Sequence, residues 1–313
     1  MNNEISLVQA EISHNWVADS LDATRLFHGR GHCFPGWEWL CIDWYPPFVL
    51  ISLFDEAGAA QLPAIQALIK ERLGESLEGI VVQKRYLRGT PFEVVDGEVP
   101  DKHQIQQSGL TYQLEFGQAQ NVGFFLDMQP GREWLAQRCQ GKNVLNLFAY
   151  TCAFSVVAMA HGAQQVVNID LSRRSLQRGV DSHRLNGLPT DRVRFFDHNI
   201  FKSWKKLHKF GRYDIIIIDP PTFQKGSFDV QKDYRKILNH LHRLLKPEAE
   251  ILACLNSPRL DEDFLQQQFE QSLPEAAKVA RLPSLASFKD VDPQAALKAV
   301  HYHYQLPAQE GCT

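Results

Sequence analysis

An open α/β sheet with helices on both faces, preceded by a smaller α+β domain, is the fold that this 313-residue chain predicts. Three observations carry the prediction. Four consecutive isoleucines in Tyr213-Asp214-Ile215-Ile216-Ile217-Ile218-Asp219 suit a strand covered on both faces, as in a parallel sheet. About seventy residues upstream, Asn143-Val144-Leu145-Asn146-Leu147-Phe148 is a second apolar run, followed by a small-residue loop and a helix-like segment. From Gln118 onward, strand-like and helix-like stretches alternate regularly, the signature of a doubly wound sheet.

Taken in order, the first hundred or so residues have a different texture. Leu40 to Trp44 and Phe48 to Phe54 read as strands flanking the Pro46-Pro47 turn, Leu62 to Leu73 has helical spacing, and Ile80 to Arg85 is a further strand. The breaker-rich stretch from Gly89 to Ser108 reads as a hairpin or linker, and order resumes at Leu110 to Leu114. Residues 1–110 are therefore expected to form the accessory domain and 111–313 the larger one.

In the second part, Arg132 to Arg138 is a short helix leading into the Asn143 strand, and Phe154 to His161 is a helix with Gly162 suited to its end. Val166 to Asp170 is the next strand, and Ser172 to Leu185 a helix with Ser172 as N-cap. Val193 to Phe196 is a strand, followed by a basic helix through Lys209 and then the isoleucine strand. A long amphipathic helix is expected from Val230 to Leu245, closed by Lys246-Pro247. Ile251 to Leu255 is a strand, Leu260 to Ser272 a helix, and Ala299 to Gln305 a final, antiparallel strand.

Composition narrows the function. With 44% hydrophobic and 22% charged residues the chain is globular, and a net charge of −3 gives no global pull toward nucleic acid, so any such binding must be local. Cysteines at 33, 41, 139, 152, 254 and 312 include no Cys-x-x-Cys pair and suggest neither a disulfide framework nor zinc. The N-terminus lacks a signal-like segment and no apolar run approaches a membrane span, so a cytoplasmic location without membrane contact is expected.

The chemistry concentrates at the strand ends. Asp219-Pro220-Pro221-Thr222-Phe223 ends the isoleucine strand, and the stiff diproline would hold Asp219 and the Pro220 carbonyl toward the crevice where open α/β sheets bind ligands. Alone, such a tripeptide is only strand punctuation. Asp170, however, ends the strand after the Ala149-Tyr150-Thr151-Cys152-Ala153 loop, where Rossmann-like folds hydrogen-bond a ribose. That loop lacks Gly-x-Gly-x-x-Gly, so its side chains obstruct a pyrophosphate, and no P-loop motif occurs. A nucleoside cofactor without phosphates suits it, and S-adenosylmethionine is the common one.

Asn146-Leu147-Phe148-Ala149-Tyr150-Thr151, Asp170, Asn186-Gly187-Leu188, Asn199-Ile200-Phe201 and Asp219 to Phe223 together resemble the class I S-adenosylmethionine-dependent methyltransferases. More narrowly they resemble the bacterial enzymes that modify large-subunit ribosomal RNA at cytosine C5 or guanine N7, over roughly residues 112–305. The resemblance implies that Asn146, Phe148, Tyr150, Thr151, Cys152 and Ala153 surround the methionine part of the cofactor and that Asp170 takes the ribose hydroxyls. Leu171 and Ser172 would lie near adenine, with His198 and Asn199 beside it and the Asn199 carbonyl accepting from the adenine amino group. Asn121 to Arg132, Phe125 included, is similar to the family's hairpin over the cofactor. Asp219, Pro220 and Pro221 would face the sulfonium as the catalytic segment, and Phe223 would stack on a flipped base; core packing is the alternative role for Phe223.

Four departures stand out: Cys152 and Ala153 replace two family glycines and narrow the methionine site, and Asn121 and Gln129 replace a lysine and an arginine. The fifth strand of this part ends Leu255-Asn256-Ser257, where cytosine-5 enzymes with a cysteine nucleophile carry that cysteine; Cys254 lies two residues away and reads as structural. A ring or exocyclic nitrogen is therefore the favoured target. Large-subunit ribosomal RNA is the expected partner, and a homodimer stays open. For RNA contact, Arg192 to Arg212 holds seven Lys/Arg against Asp197 alone, with Arg173, Arg174, Arg178 and Arg184 on the preceding helix and Lys84, Arg85 and Arg88 as a second patch. A solvated helix face explains any one of these equally well. His28/His32 and His301/His303 have metal-like spacing without a metal-like context, so no metal is expected. Two alternatives remain: a methyltransferase acting on a small molecule or protein, and a non-catalytic RNA- or cofactor-binding module.

Overall fold

The computed structural model describes residues 2–117 and 119–306; Cys312 and the last residues of the expected second domain lie outside them. The chain forms two compact units, one running to Asp127 and taking in Ser284–Pro293, the other running from Met128 to Pro283 and resuming at Gln294.

In the first unit, α1 (Asn2–Asn15) precedes β1 (Thr24–His28), β2 (Leu40–Tyr45), β3 (Phe48–Leu53), α2 (Leu62–Leu73), β4 (Gly79–Lys84) and β5 (Phe92–Gly97). The sheet order is β1-β2-β3-β4-β5, and only β3 and β4, which α2 connects, are parallel. Val8 and Ile12 of α1 and Ile65 and Ile69 of α2 are fully buried in one apolar cluster with strand residues such as Ile42 and Ile51. Neither α1 nor β1 is anticipated by the periodicity, because the apolar residues of α1 are widely spaced among polar ones and β1 is only five residues long with polar residues at both ends. The Gly89–Ser108 stretch supplies β5 to the sheet and β6 (Lys102–Gln107), which forms a separate antiparallel pair with β7 (Leu110–Glu115).

The second unit contains α3 (Gln129–Ala136), β8 (Asn143–Leu147), α4 (Ala153–Ala160), β9 (Gln165–Asp170), α5 (Arg173–Leu185), β10 (Val193–Asp197), α6 (Trp204–Lys209) and β11 (Tyr213–Ile218). It continues with a short hairpin of β12 (Phe223–Gln224) and β13 (Phe228–Asp229), then α7 (Val230–Leu241), β14 (Leu245–Leu255), α8 (Glu262–Ser272), β15 (Ala276–Arg281) and β16 (Lys298–Gln305). Among the described residues the sheet order is β10-β9-β8-β11-β14-β16-β15, with β16 antiparallel to both neighbours. Side chains of the isoleucine strand alternate faces: Ile215 and Ile217 join the cluster with α3 and α4, while Ile216 and Ile218 join the cluster with α6, α7 and α8. Each is at most 1% exposed, worth roughly 2–3 kcal/mol apiece by apolar area.

Two expectations are corrected. The amphipathic helix stops at Leu241, and Leu245-Lys246-Pro247 already belongs to β14, where Leu245 sits opposite Tyr213. Burial of Leu245 and Ala249 holds this extension, and the register shift between Tyr213 and Ile215 accommodates it. The following helix begins at Glu262, where Asp261 accepts the Phe264 N–H at 3.0 Å as N-cap. Ser172 caps α5 as expected, its hydroxyl accepting from the Ser175 N–H.

Candidate active site

From β8 the chain winds outward through β9 to β10, and from β11 it winds the other way to β14. The reversal falls between β8 and β11, so the crevice at their carboxyl ends is the topological switch point. The loops that rim it are Phe148–Cys152, Leu171-Ser172, His198-Asn199 and Asp219–Thr222.

The β8 loop is held in an unusual conformation. Phe148, Tyr150 and Cys152, every second residue, have φ of 58°, 47° and 61°, although none is glycine. Left-handed backbone at a non-glycine residue costs on the order of 1–3 kcal/mol, so the surroundings must enforce it. The Ala149 N–H donates to Ile169 O, the Cys152 N–H to Ala149 O, and the Tyr150 N–H to Asp170 Oδ2 at 2.9 Å. The other Asp170 oxygen accepts from the Ser172 N–H at 2.8 Å, so one carboxylate clamps the β8 loop to the start of α5. Burial pushes the Asp170 carboxyl up, opposed by the N–H bonds from Ser172 and Tyr150.

Beneath the loop runs a buried polar chain. Asn146 Nδ2 donates to Asn168 Oδ1 at 3.0 Å, Asn168 Nδ2 to Ser155 Oγ at 2.9 Å, and Ser155 Oγ lies 3.1 Å from His183 Nε2. His183 Nδ1 lies 2.7 Å from Gly179 O. A carbonyl only accepts, so Nδ1 carries the proton, Nε2 accepts from Ser155, and every donor in the chain points from β8 toward α5. Burial lowers the His183 pKa, which keeps the imidazole neutral. The Asn146 amide is thereby fixed in one orientation.

The comparison with known proteins bears on this arrangement. The sequence model of S-adenosylmethionine-dependent methyltransferases matches residues 24–303. The chain belongs to that family. Ribosomal RNA large subunit methyltransferase I of Aeromonas hydrophila is 27% identical over 277 residues, covering 85% of this chain and 69% of that protein. A Streptococcus mutans structure described as a sam-dependent methyltransferase has a TM-score of 0.86 and 27% identity over 96% of this chain and 81% of its own. A methyltransferase called SMU.776, complexed with SAH, has a TM-score of 0.80 and 26% identity over 96% and 78%.

The residues of this methyltransferase fit the cofactor. The Asp170 carboxylate accepts the Tyr150 and Ser172 N–H groups on different oxygens and retains acceptor capacity for a ribose hydroxyl. Beside it, Leu171 is 43% exposed, an apolar surface suited to a purine face. Thr151 is buried and Ala153 opens α4. The Cys152 side chain is fully buried with Ala149 and Leu176 and abuts Gly179, so what Cys152 offers the crevice is main chain. Burial and the Asp170 charge raise the Cys152 thiol well above its usual range.

Asn199 Oδ1 accepts from the Phe201 N–H at 2.9 Å, leaving one lone pair for another donor. Both His198 nitrogens are engaged locally: the Lys206 ammonium donates to Nε2 at 2.7 Å, and Nδ1 lies 3.3 Å from Asp197. Only the His198 ring face remains for a cofactor. Gln129 donates to Glu133 within its own helix. Phe125 is part of the first unit and 38% exposed.

On the other side of the crevice, Pro220 is buried, Pro221 is exposed, and the Thr222 hydroxyl donates to Asn256 O. Phe148 meets Phe228 edge-on at 4.9 Å, and Phe201 stacks parallel to Phe228 at 6.3 Å. Phe228 is thus the buried anchor of the β12–β13 hairpin, whereas Phe223 on its other strand is 66% exposed. Arg178, counted from the sequence with a phosphate-facing patch, is instead buried, its guanidinium 5.8 Å from the Tyr150 ring centre. Sequence reasoning also passed over Asn168, Ser155, His183 and Gly179, because a buried polar chain is assembled across four elements and leaves no local spacing to read. Among the described residues, no group of three His, Cys, Asp or Glu is placed to hold a metal, and no helix is long and apolar enough to cross a membrane.

Proposed function

We propose that this methyltransferase transfers a methyl group to a ring or exocyclic nitrogen of a base in large-subunit ribosomal RNA, with residues 1–110 serving to dock the RNA. The observation that carries the reading is Phe223: a large aromatic ring two-thirds exposed, two residues beyond the diproline at the switch-point crevice. An exposed aromatic there has no packing role and is placed for stacking on an unpaired base. The name of the Aeromonas relative supports the substrate class.

When bound, S-adenosylmethionine supplies an electrophilic methyl group on a sulfonium. Asn146, Phe148, Tyr150, Thr151, Cys152 and Ala153 hold the methionine end, Asp170 the ribose, and Leu171, Ser172, His198 and Asn199 the adenine. The Asp219 carboxylate accepts a hydrogen bond from an N–H of the target base, and Pro220 and Pro221 keep that segment from yielding. Alignment of this kind is most of what a nitrogen nucleophile needs. Cytosine C5 needs an exposed thiolate, and Cys254 is fully buried. Arg192, Lys202, Lys205 and Lys209 remain on the surface, where they suit RNA phosphates.

Radiolabelled methyl transfer to ribosomal RNA from a strain lacking the gene tests the reading. Incorporation into a nitrogen-methylated nucleoside of the large subunit is expected. Labelling of only a small molecule or a protein overturns it, as does cofactor binding with no transfer to any RNA.

A further inference from the structure

The first unit concentrates positive charge in a corner that the methyl-transfer site does not use. Arg25 of β1 is consumed by Asp43 of β2, its Nε and Nη2 donating at 2.6 and 3.0 Å to the two carboxylate oxygens. Arg25 Nη1 also donates to His28 Nδ1 at 2.7 Å, so that imidazole is neutral and offers no counter-charge. Arg30 and Arg85 lie in the same corner, and both pack on one ring, their guanidinium carbons 4.8 and 5.3 Å from the centre of Phe54. Among the described residues, no carboxylate is ion-paired with Arg30 or Arg85.

The positions are built rather than incidental. Arg30 sits between Gly29 and Gly31, where an added Cβ would fall 1.8 Å from Trp37 O and 2.0 Å from Lys289 O respectively. The close approach of these backbones fixes the turn and leaves Arg30 as its exposed side chain. Phe54 and Arg85 follow the neighbouring parallel strands β3 and β4, and Arg85 Nη1 donates to Gln120 O at 3.3 Å. Gln83 Nε2 donates to the same carbonyl at 2.8 Å. Neutral carbonyls and an aromatic face orient the guanidinium without discharging it. Burial lowers the Arg85 pKa; repulsion from Arg25 and Arg30 adds to that, and attraction to Cys41 and Asp43 opposes it.

We propose that Arg30 and Arg85, laid together on Phe54, form a phosphate-binding site for the RNA backbone. Lys84, the sequence neighbour of Arg85, is not part of it, because Glu93 pairs with it at 2.8 Å. An exposed guanidinium beside a half-buried one, both planar forks laid on one ring, suits a chain of phosphates crossing the surface. The inference rests on the RNA reading above.

The test uses the full-length protein and a fluorescent fragment of large-subunit ribosomal RNA, titrated at several KCl concentrations. Arg30→Gln and Arg85→Gln should each lower the slope of log affinity against log salt by about 0.7–0.9, and together by nearly twice that. Affinity for S-adenosylhomocysteine and the melting temperature should hold, or the melting temperature should rise as repulsion is relieved. Arg30→Lys combined with Arg85→Lys should keep the wild-type slope, and its loss there would mark a folding role and overturn the proposal. Wild-type RNA binding with an unchanged slope in the double glutamine variant also overturns it, leaving the RNA reading intact. Absence of RNA binding by the wild type removes both. Micromolar binding of a mononucleotide that the double glutamine variant loses reassigns the site to a small phosphorylated ligand.

Discussion

Gly179 and Cys152 occupy one space: a Cβ added to Gly179 would stand 2.6 Å from the Cys152 Sγ and 2.7 Å from its Cβ. A glycine in the interior of α5 exists so that a cysteine can sit in left-handed conformation at the start of α4. In an ordinary helix, glycine to alanine stabilises by about 1 kcal/mol. Here Gly179→Ala should destabilise by about 1–3 kcal/mol through overpacking. Cys152→Gly removes the two nearest obstructing atoms and relieves the φ of 61°, leaving the Thr151 carbonyl oxygen at 3.1 Å, so in that background Gly179→Ala should cost clearly less than in the wild type. Urea denaturation of the four proteins gives the coupling; additive effects would show that the two residues do not share the space.

Asp170 holds two backbone N–H groups at the crevice, and its loss should register twice. Asp170→Ala is expected to weaken cofactor binding by about 1–3 kcal/mol, with a similar loss of stability from the freed Tyr150 and Ser172 N–H groups. Titration calorimetry with S-adenosylmethionine measures the first. An unchanged dissociation constant removes Asp170 from the cofactor site.

The chain from Asn146 to Gly179 predicts that Ser155→Ala is costly although it deletes one oxygen. It leaves Asn168 Nδ2 and His183 Nε2 without their partner in a fully buried site, a penalty of about 1–3 kcal/mol. Ser155→Thr, which keeps the hydroxyl, should lose less. Equal losses for both variants in thermal denaturation would point to packing rather than hydrogen bonding.

Burial lowers the pKa of His28 from 6.5 to about 3 and also lowers that of His183. Between the folded and unfolded values the unfolded chain binds more protons, so this stability is complete above about pH 6.5 and is lost as pH falls toward the folded value. Each group contributes up to about 1.4 kcal/mol per pH unit in its window. His28→Asn, whose carbonyl can still accept from Arg25, should flatten the acid limb of the stability curve by about one proton. An unaltered limb would mean that His28 titrates normally in the fold.

Phe223→Ala should lower kcat/KM for RNA by roughly ten- to a hundredfold, the value of one stacked base, about 1–3 kcal/mol. Cofactor affinity should be unchanged, since Phe223 sits on the outward strand of the hairpin. A loss of cofactor affinity with it would place the ring inside the cofactor pocket and count against base stacking.

Much of the fold was legible because the strands of the second unit are covered on both faces, which writes them as unbroken apolar runs. Ile215 to Ile218 and Val166 to Ile169 could be little else. The end of α7 was not legible, since Leu241, Leu244 and Leu245 continue a helical spacing and only the pairing of Leu245 with Tyr213 turns the chain into β14. In the first unit, β1 escaped because its role depends on Arg25 meeting Asp43 across a strand pair, a contact between residues 18 apart.

By itself, the sequence determined the sheet class, the lack of a Gly-x-Gly-x-x-Gly motif after β8 and the acidic residue at the end of β9, because strand burial and glycine spacing are local properties. Only the tertiary structure decided that Arg178 lies under Tyr150, that both nitrogens of His198 are occupied, that Cys152 turns toward Gly179, and that Arg30 and Arg85 share one aromatic ring. These depend on which distant elements pack together. A side chain's partner across a fold is fixed by the summed packing of the core, and no spacing along the chain encodes it.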